Sequence, residues 1–300
     1  MIIASTIILF CVTCGGILFL HLLKKHQHRK LIEVQRSLEK LVALKDLLIH
    51  IQQHRGLSTS VLHGNESLKR NLEAKKNTLQ GLWKGLLDNY PELFKDSLFE
   101  GIYSHWQRLE IRCLELSSSN NIEQHNRLIT NLLYLIENQA EENRLLIHFT
   151  RQADLEVIWK ELLETIEAIG QTRAIGMGLV SEGKSTAVER IQLKYLSDRV
   201  CSRLQTLNSA FMHTAASASE SETYGNFSAS ACIKTAESKI NELQTFINKN
   251  LLKAEIGNIS GEQFFQLASS AIEPLDTLFN LSSRTIKERC MLKIKDGSND

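Results

Sequence analysis

Two arginines lie where the apolar spacing of two helical segments calls for buried side chains. The first is Arg55, in "QQHRGLSTSVL", and the second is Arg173, in "IGQTRAIGMGLV". Steps of four and three residues place each arginine on the apolar face of an amphipathic helix. Because a guanidinium stays protonated at any ordinary pH, a buried arginine must either pair with an acid or bind an anion. Both kinds of chemistry remain open on these observations.

The two segments share one pattern, which indicates an internal repeat. A shift of 118 residues places Arg55 on Arg173 and Ser58 on Gly176. Neither segment carries an acid in the turn before its arginine, and the small residues leave room beside each guanidinium. Two guanidinium groups offer paired N–H donors that match two oxygens of a planar anion. Arg55 and Arg173 are therefore our candidate binding residues for a small planar oxyanion.

The rest of the chain predicts the helices that position these arginines. Segments rich in Gly, Ser and Asn recur at helix-length intervals, the chain has only two prolines, and no segment shows strand alternation. These features predict an all-α protein with about eight helices. Short connections between eight helices favour two four-helix bundles. We place the first bundle at residues 25–150, the second at residues 151–290 and a flexible tail at residues 291–300.

The N-terminus has the pattern of a membrane anchor. Residues 2–23 contain no Lys, Arg, Asp or Glu, and as a helix this run would extend about 33 Å, enough to cross a bilayer core. The basic segment "KKHQHRK" follows at once, and the positive-inside rule then places the remainder in the cytoplasm. We predict a single transmembrane helix over residues 1–24, in the inner membrane, with the C-terminal domain in the cytoplasm.

Composition limits the other functions. A net charge of +1 over 300 residues argues against a nucleic-acid partner, which would favour a basic domain. His50 and His54 stand four residues apart, a spacing compatible with a metal, but no further ligands accompany them. We expect these histidines at the surface, and we predict no metal and no cofactor. The dispersed cysteines, including Cys113 and Cys201, are typical of small buried hydrophobic residues in a reduced protein.

One further motif matches a nucleotide-binding pattern. The segment "GLVSEGKS", residues 178–185, fits the phosphate-binding loop G-x-x-x-x-G-K-[ST]. That loop requires a strand before it, whereas the preceding residues have helical spacing. A nucleotide binder that uses Lys184 is therefore a distant alternative. No Ser-His-Asp or Cys-His arrangement can be argued from the sequence, and we expect no enzymatic activity.

Three segments carry a family resemblance: "QQHRGLSTSVL", "IGQTRAIGMGLV" and the later "ISGEQFFQLASSAIEPLDTL". They resemble the nitrate- and nitrite-sensing (NIT) domain, an all-helical sensor module of bacterial signalling and regulatory proteins. The resemblance extends from about residue 30 to about residue 285. It implies two four-helix bundles and binding of nitrate or nitrite by arginines. Arg55 matches the arginine of the family's first-helix motif and Arg173 that of the fifth helix, while His54 stands where an acid is common.

The resemblance predicts a function in signal transduction. The chain is expected to sense nitrate or nitrite through Arg55 and Arg173. Because the sequence ends at the eighth helix, the signal is expected to pass to a separate partner protein. The alternative is a membrane-tethered helical scaffold that binds no ligand. The sequence is compatible with a homodimer and with a preference for either of the two anions.

Overall fold

Eight α-helices form the chain in the computed structural model, which describes residues 2–142, 157–216 and 223–296. They are α1 (Ile2–Leu62), α2 (Lys69–Asn89), α3 (Ser97–Arg112), α4 (Ser118–Glu141), α5 (Leu163–Glu182), α6 (Ala187–Ala216), α7 (Thr223–Phe246) and α8 (Gly261–Asp296). In these ranges, the contact between Lys184 and Glu255 is the one β-bridge. The prediction of an all-α protein with about eight helices is confirmed.

Short helical segments of other types lie between or beside the α-helices. Two 3₁₀ helices, Glu66–Leu68 and Pro91–Lys95, connect α1 to α2 and α2 to α3. Two π-helical segments, Val157–Leu162 and Ile247–Leu251, precede α5 and follow α7. Helical structure therefore also fills part of the connections.

The helix ends follow the local chemistry of the sequence. The Asp96 side chain accepts the backbone N–H of Leu98 at 2.8 Å and so caps α3. The Ser117 hydroxyl accepts the N–H of Asn120 at 3.3 Å and caps α4. Gly183 ends α5 with φ of 68°, a left-handed conformation that glycine adopts without steric cost.

The first helix packs against helices from the whole chain. It contacts α2 and α4, and it also contacts α5 and α8. Helices α5 to α8 form a ring in which α5 packs on α6, α6 on α7, α7 on α8 and α8 on α5. The boundary that we predicted between residues 150 and 151 lies outside the described residues, and the division into two four-helix bundles stays a prediction.

The core consists of the apolar faces of these helices, as the hydrophobic effect requires. On α1 the predicted stripe is fully buried at Leu44, Leu48 and Ile51. The largest fully buried apolar side chains are aromatic: Phe99, Trp106, Trp159, Phe264 and Phe279. The core thus places the surroundings of Arg55 out of contact with water.

Cys113, Cys201 and Cys232 are free cysteines. Cys113 is buried, and Cys201 and Cys232 are partly buried. Burial raises the pKa of all three thiols, which keeps them protonated and unreactive. The side chain of Cys290 lies outside the described residues.

The structure corrects the predicted membrane anchor. Within the ranges given above, no helix combines the length and the apolar character needed to cross a membrane. The predicted transmembrane helix over residues 1–24, and with it the single-pass placement in the inner membrane, is therefore wrong. The apolar run is not an element of its own, because it is the first part of α1, a 61-residue helix that continues without a break into charged sequence.

Candidate functional site

Arg55 lies on α1 with none of its surface exposed. Its guanidinium forms a two-pronged ion pair with Glu167 of α5: Nη1 donates to Oε1 at 2.6 Å and Nη2 donates to Oε2 at 3.1 Å. Glu167 also accepts hydrogen bonds from the amides of Gln52, at 2.8 Å, and Gln171, at 2.9 Å. An acid therefore occupies the end of the Arg55 guanidinium, which is the first of the two kinds of chemistry that the sequence left open.

Glu167 is not among the residues predicted for the site, because it does not lie in the turn before either arginine. Glu167 precedes Arg173 by six residues on α5, and it pairs with the arginine of α1 instead. A carboxylate among apolar residues of a helix, "IEAIG", is a signal of this pairing, since buried carboxylates are seldom left without a cation.

One edge of the Arg55 guanidinium is buried and lacks a full set of hydrogen-bond partners. Besides Glu167, Nη1 donates to Oδ1 of Asn126 at 2.6 Å. Nε is buried and has no hydrogen-bond partner in the described structure, and the one acceptor of Nη2 is Glu167. Nε and Nη2 lie on the same edge of the guanidinium plane, so this edge offers two N–H donors. A buried donor without a partner costs about 1–3 kcal/mol, which an acceptor placed there would relieve.

Glycine allows α5 to approach this edge. A Cβ atom at Gly170 would lie 2.8 Å from Nη2 of Arg55 and 3.5 Å from Oε2 of Glu167. Eight residues further along α5, a Cβ at Gly178 would lie 3.1 Å from Nε2 of His63, which is eight residues beyond Arg55. The two helices therefore run side by side in the same direction, and glycines make room for the α1 side chains.

Arg173 lies on α5 with 6% of its surface exposed. Its Nη1 donates to the hydroxyl of Ser269 on α8 at 2.9 Å, and its guanidinium lies 4.9 Å from the ring centre of Phe265. In the described ranges no carboxylate comes within 4.0 Å of it. The pKa of Arg173 is lowered to about 10, mainly by burial and also by the positive charge of Arg55, while Glu167 opposes the shift.

These three charged groups leave an excess of positive charge in the protein interior. Arg55 and Arg173 are both cations, and among the described residues Glu167 is the one carboxylate that interacts with both. A buried charge without a counter-ion is costly. The cluster would therefore be neutralised by one monovalent anion.

A cavity of about 650 Å³ lies beside this cluster. Gly56, next to Arg55, lines it from α1, and Met177, one turn beyond Arg173, lines it from α5. Phe265 lines it from α8 and also lies against the Arg173 guanidinium. The ring of Phe265 thus stands between the cavity and Arg173.

His54 is buried, contrary to the predicted surface position. Its Nδ1 lies 2.8 Å from Nε2 of His125 on α4, and Nδ1 of His125 lies 2.8 Å from the carbonyl oxygen of Asn121. That carbonyl can only accept, so His125 carries its proton on Nδ1 and accepts at Nε2 from His54. Burial lowers the pKa of both rings, that of His54 well below 6.5 and that of His125 to about 3. Both rings are therefore neutral at pH 7.

The remaining candidates from the sequence do not form sites. In residues 178–185, Gly178 to Glu182 form the end of α5 and Gly183 is its C-cap, so a helix precedes Lys184 where a phosphate-binding loop requires a strand. His50 bonds to the carbonyl oxygen of Asp46 at 2.8 Å. Among the described residues, no group of three or more His, Cys, Asp or Glu is arranged to hold a metal.

Comparisons with known proteins give one likeness. No family model matches the chain, and no curated protein sequence matches it. The solved structure of the NasR transcription antiterminator is similar to this one, with a TM-score of 0.66 over 91% of this chain and 73% of that chain, at 15% sequence identity. This chain has the fold of that structure. At this level of identity the likeness establishes the fold alone.

Proposed function

We propose that this chain is a sensor domain that binds nitrate or nitrite at Arg55 and Arg173, as the NIT domains that it resembles are expected to do. The observation that carries the proposal is the buried cluster of two arginines and one glutamate, which has an excess positive charge and a guanidinium N–H without a hydrogen-bond partner. A monovalent planar oxyanion satisfies both needs at once.

Each arginine has its own task in this proposal. The Nε–Nη2 edge of Arg55 donates to two oxygens of the anion, while Glu167 and Asn126 hold the guanidinium in place from its other sides. Arg173 supplies the second positive charge, and its pKa of about 10 keeps it charged at neutral pH. The absence of a bound acid at Arg173, within the residues described, leaves its remaining donors available.

The proposed anion site lies between three helices, and this position connects anion binding to their arrangement. Arg55, Arg173 and Ser269 lie on α1, α5 and α8, and these are helices that pack against one another. An anion between them favours the arrangement in which all three are close, to the extent that it binds that arrangement more tightly. The likeness to an antiterminator structure supports a regulatory role, and we propose that a separate partner protein reads the change.

The experiment is a thermal unfolding titration of the full chain with sodium nitrate, sodium nitrite and sodium chloride at equal ionic strength. Nitrate or nitrite should raise the melting temperature more than chloride does, since a ligand at 100 times its Kd stabilises by about 2.7 kcal/mol. Arg173→Ala should abolish the difference between the anions. Arg127→Ala, which removes an equal charge from the exposed surface of α4, should retain it.

Arg55 requires a paired substitution, because removal of the arginine alone would leave Glu167 buried and unpaired. The double variant Arg55→Ala with Glu167→Ala should fold and should lose the nitrate response. If the folded wild-type chain responds equally to all three salts at millimolar concentration, the proposal is wrong and the ligand-free helical scaffold is favoured.

A further inference from the structure

A second cluster of polar side chains lies where three helix ends meet, at the C-terminal end of α1. The Oγ of Ser118, the first residue of α4, lies 2.7 Å from Nε2 of His63, which follows the last residue of α1. The Nδ1 of His63 lies 3.6 Å from Oε1 of Glu182, the last residue of α5. A hydroxyl, an imidazole and a carboxylate are thus arranged in series.

This series has the polarity that activates a serine. Because the Glu182 carboxylate can only accept, Nδ1 of His63 carries the proton that faces it, and Nε2 then accepts from the hydroxyl of Ser118. A nucleophile within hydrogen-bond reach of a base, with the base oriented by a third group, is the arrangement of nucleophilic catalysis. The longer separation at Glu182 is common before a substrate binds.

The start of α4 provides donors for a developing negative charge. The first N–H groups of a helix have no acceptor within the helix. At this end the N-cap residue Ser117 accepts the N–H of Asn120 on its hydroxyl and that of Asn121 on its carbonyl. The backbone N–H groups of Ser118 and Ser119 remain for an oxyanion, in the field of the helix N-terminus.

The other two helix ends favour the opposite charge. His63 lies at the C-terminus of α1, where its N–H donates to the carbonyl oxygen of Thr59 at 3.1 Å. Glu182 lies at the C-terminus of α5. Helix C-termini carry partial negative charge, so both stabilise an imidazolium at His63. The oxyanion and the imidazolium of acyl transfer therefore each have a matching helix end.

A cavity of about 380 Å³ opens onto the three side chains. His63, Ser118 and Glu182 all line it, and Ile122, Ile175 and Leu179 provide apolar walls. Glycine at position 178 leaves room for the imidazole, since a Cβ there would lie 3.1 Å from Nε2 of His63. A cavity of this size and lining accepts a small acyl group.

We propose that this cavity is a hydrolytic site for small carboxylic esters. Ser118 Oγ forms a bond to the ester carbonyl carbon and its proton passes to Nε2 of His63. The bond from that carbon to the alcohol oxygen then breaks, and the alcohol leaves with the proton from His63. Water repeats the sequence on the acyl-Ser118 ester, which releases the carboxylic acid and returns the proton to Ser118.

The two catalytic residues are Ser118 and His63, and Glu182 is a positioning residue that holds the ring. The site shares no side chain with the arginine cluster. A failure of the anion-sensing proposal would therefore leave the hydrolytic proposal unaffected, and the reverse also holds. No sequence motif indicates this site, because the three residues lie 55 and 64 positions apart along the chain, at the ends of three different helices.

The test uses the full chain with p-nitrophenyl acetate as substrate and a fluorophosphonate as a covalent probe. Hydrolysis should be measurable by release of p-nitrophenol, and Ser118→Ala or His63→Gln should lower kcat/KM by about 100-fold or more. The probe should form a phosphorus–oxygen bond to Ser118 with loss of fluoride, which peptide mass spectrometry locates. Gln192→Ala, a control on the wall of the same cavity, should retain both reactions because Gln192 takes no part in either.

Glu182→Gln should lower kcat and leave KM unchanged, since a positioning residue acts on the base and does not bind the substrate. Thermal unfolding of each variant establishes that it is folded. Hydrolysis by folded Ser118→Ala at the wild-type rate, or attachment of the probe to another residue, would overturn the proposal. Loss of activity in Gln192→Ala equal to that in Ser118→Ala would overturn it as well.

Discussion

The ion pair of Arg55 and Glu167 is buried in the protein interior. Their side chains are 0% and 6% exposed, and two glutamine amides complete the shell of the carboxylate. A buried ion pair adds little net stability compared with apolar residues, whereas loss of one partner leaves an uncompensated charge. The pair therefore fixes the position of the guanidinium more than it stabilises the fold.

Glu167→Ala should lower the free energy of unfolding by about 3–5 kcal/mol, the cost of a buried charge without its partner. Glu123→Ala provides the control, because Glu123 pairs with Arg127 on the exposed surface of α4 and such pairs contribute about 0–1 kcal/mol. Urea unfolding followed by circular dichroism measures both. Equal losses for the two variants would mean that Arg55 finds another partner.

Gly170→Ala should weaken the response to nitrate by displacing the Arg55 guanidinium, since the added Cβ would lie 2.8 Å from Nη2. Gly81→Ala, on an open face of α2 with nothing within 4 Å of its Cβ, should raise the free energy of unfolding by about 1 kcal/mol through helix propensity. Nitrate titrations of both variants separate the effect on the site from the effect on the helix. A full nitrate response in Gly170→Ala would place the anion away from the Nε–Nη2 edge of Arg55.

At the scale of the elements, α1 and α4 meet through neutral histidines. Because burial lowers the pKa of His125 to about 3 and that of His54 well below 6.5, the unfolded chain binds protons near pH 6.5 that the folded chain does not. The contribution of these two rings to stability is therefore complete above pH 6.5 and is lost as the pH falls from 6.5 towards the lowered pKa of each ring, which is about 3 for His125.

Each ring should lower the free energy of unfolding by up to about 1.4 kcal/mol per pH unit in that range. Urea unfolding at pH 7.5 and pH 5.5 measures the loss. His125→Asn should make the dependence shallower, whereas His28→Gln, at an exposed position of α1, should leave it unchanged. An equal dependence in all three proteins would assign the pH effect to other groups.

Helices α1 and α4 show which features of the fold and of the site can be predicted from the sequence. The apolar stripe of α1 predicted its buried face and the burial of Arg55, because helix periodicity is a local property. Glu167 and His125 lie 112 and 71 residues from their partners, and a pattern within one helix carries no information on such pairs. The apolar start of α1 has the pattern of a separate transmembrane helix, because hydropathy alone does not mark where a helix ends.

At the scale of the whole molecule, α1 connects the first and last parts of the chain. It packs on α2 and α4 and also on α5 and α8, and both proposed sites use side chains near its C-terminal end. The arginine cluster lies where α1 meets α5, and the Ser118 cluster lies where α1 meets α4 and α5. A ligand at either site would therefore act on contacts that connect distant parts of the sequence.

Anion binding should slow backbone hydrogen exchange along these contacts, because a ligand that bridges helices suppresses their local opening. With saturating nitrate, we expect slower exchange in peptides that cover residues 50–60, 165–178 and 262–272. Peptides of α3, which packs mainly on α4 and the Pro91–Lys95 segment, serve as the internal control and should change little. The effect should vanish in Arg173→Ala. Protection spread evenly over all helices, including α3, would indicate a general salt effect and would contradict a site between α1, α5 and α8.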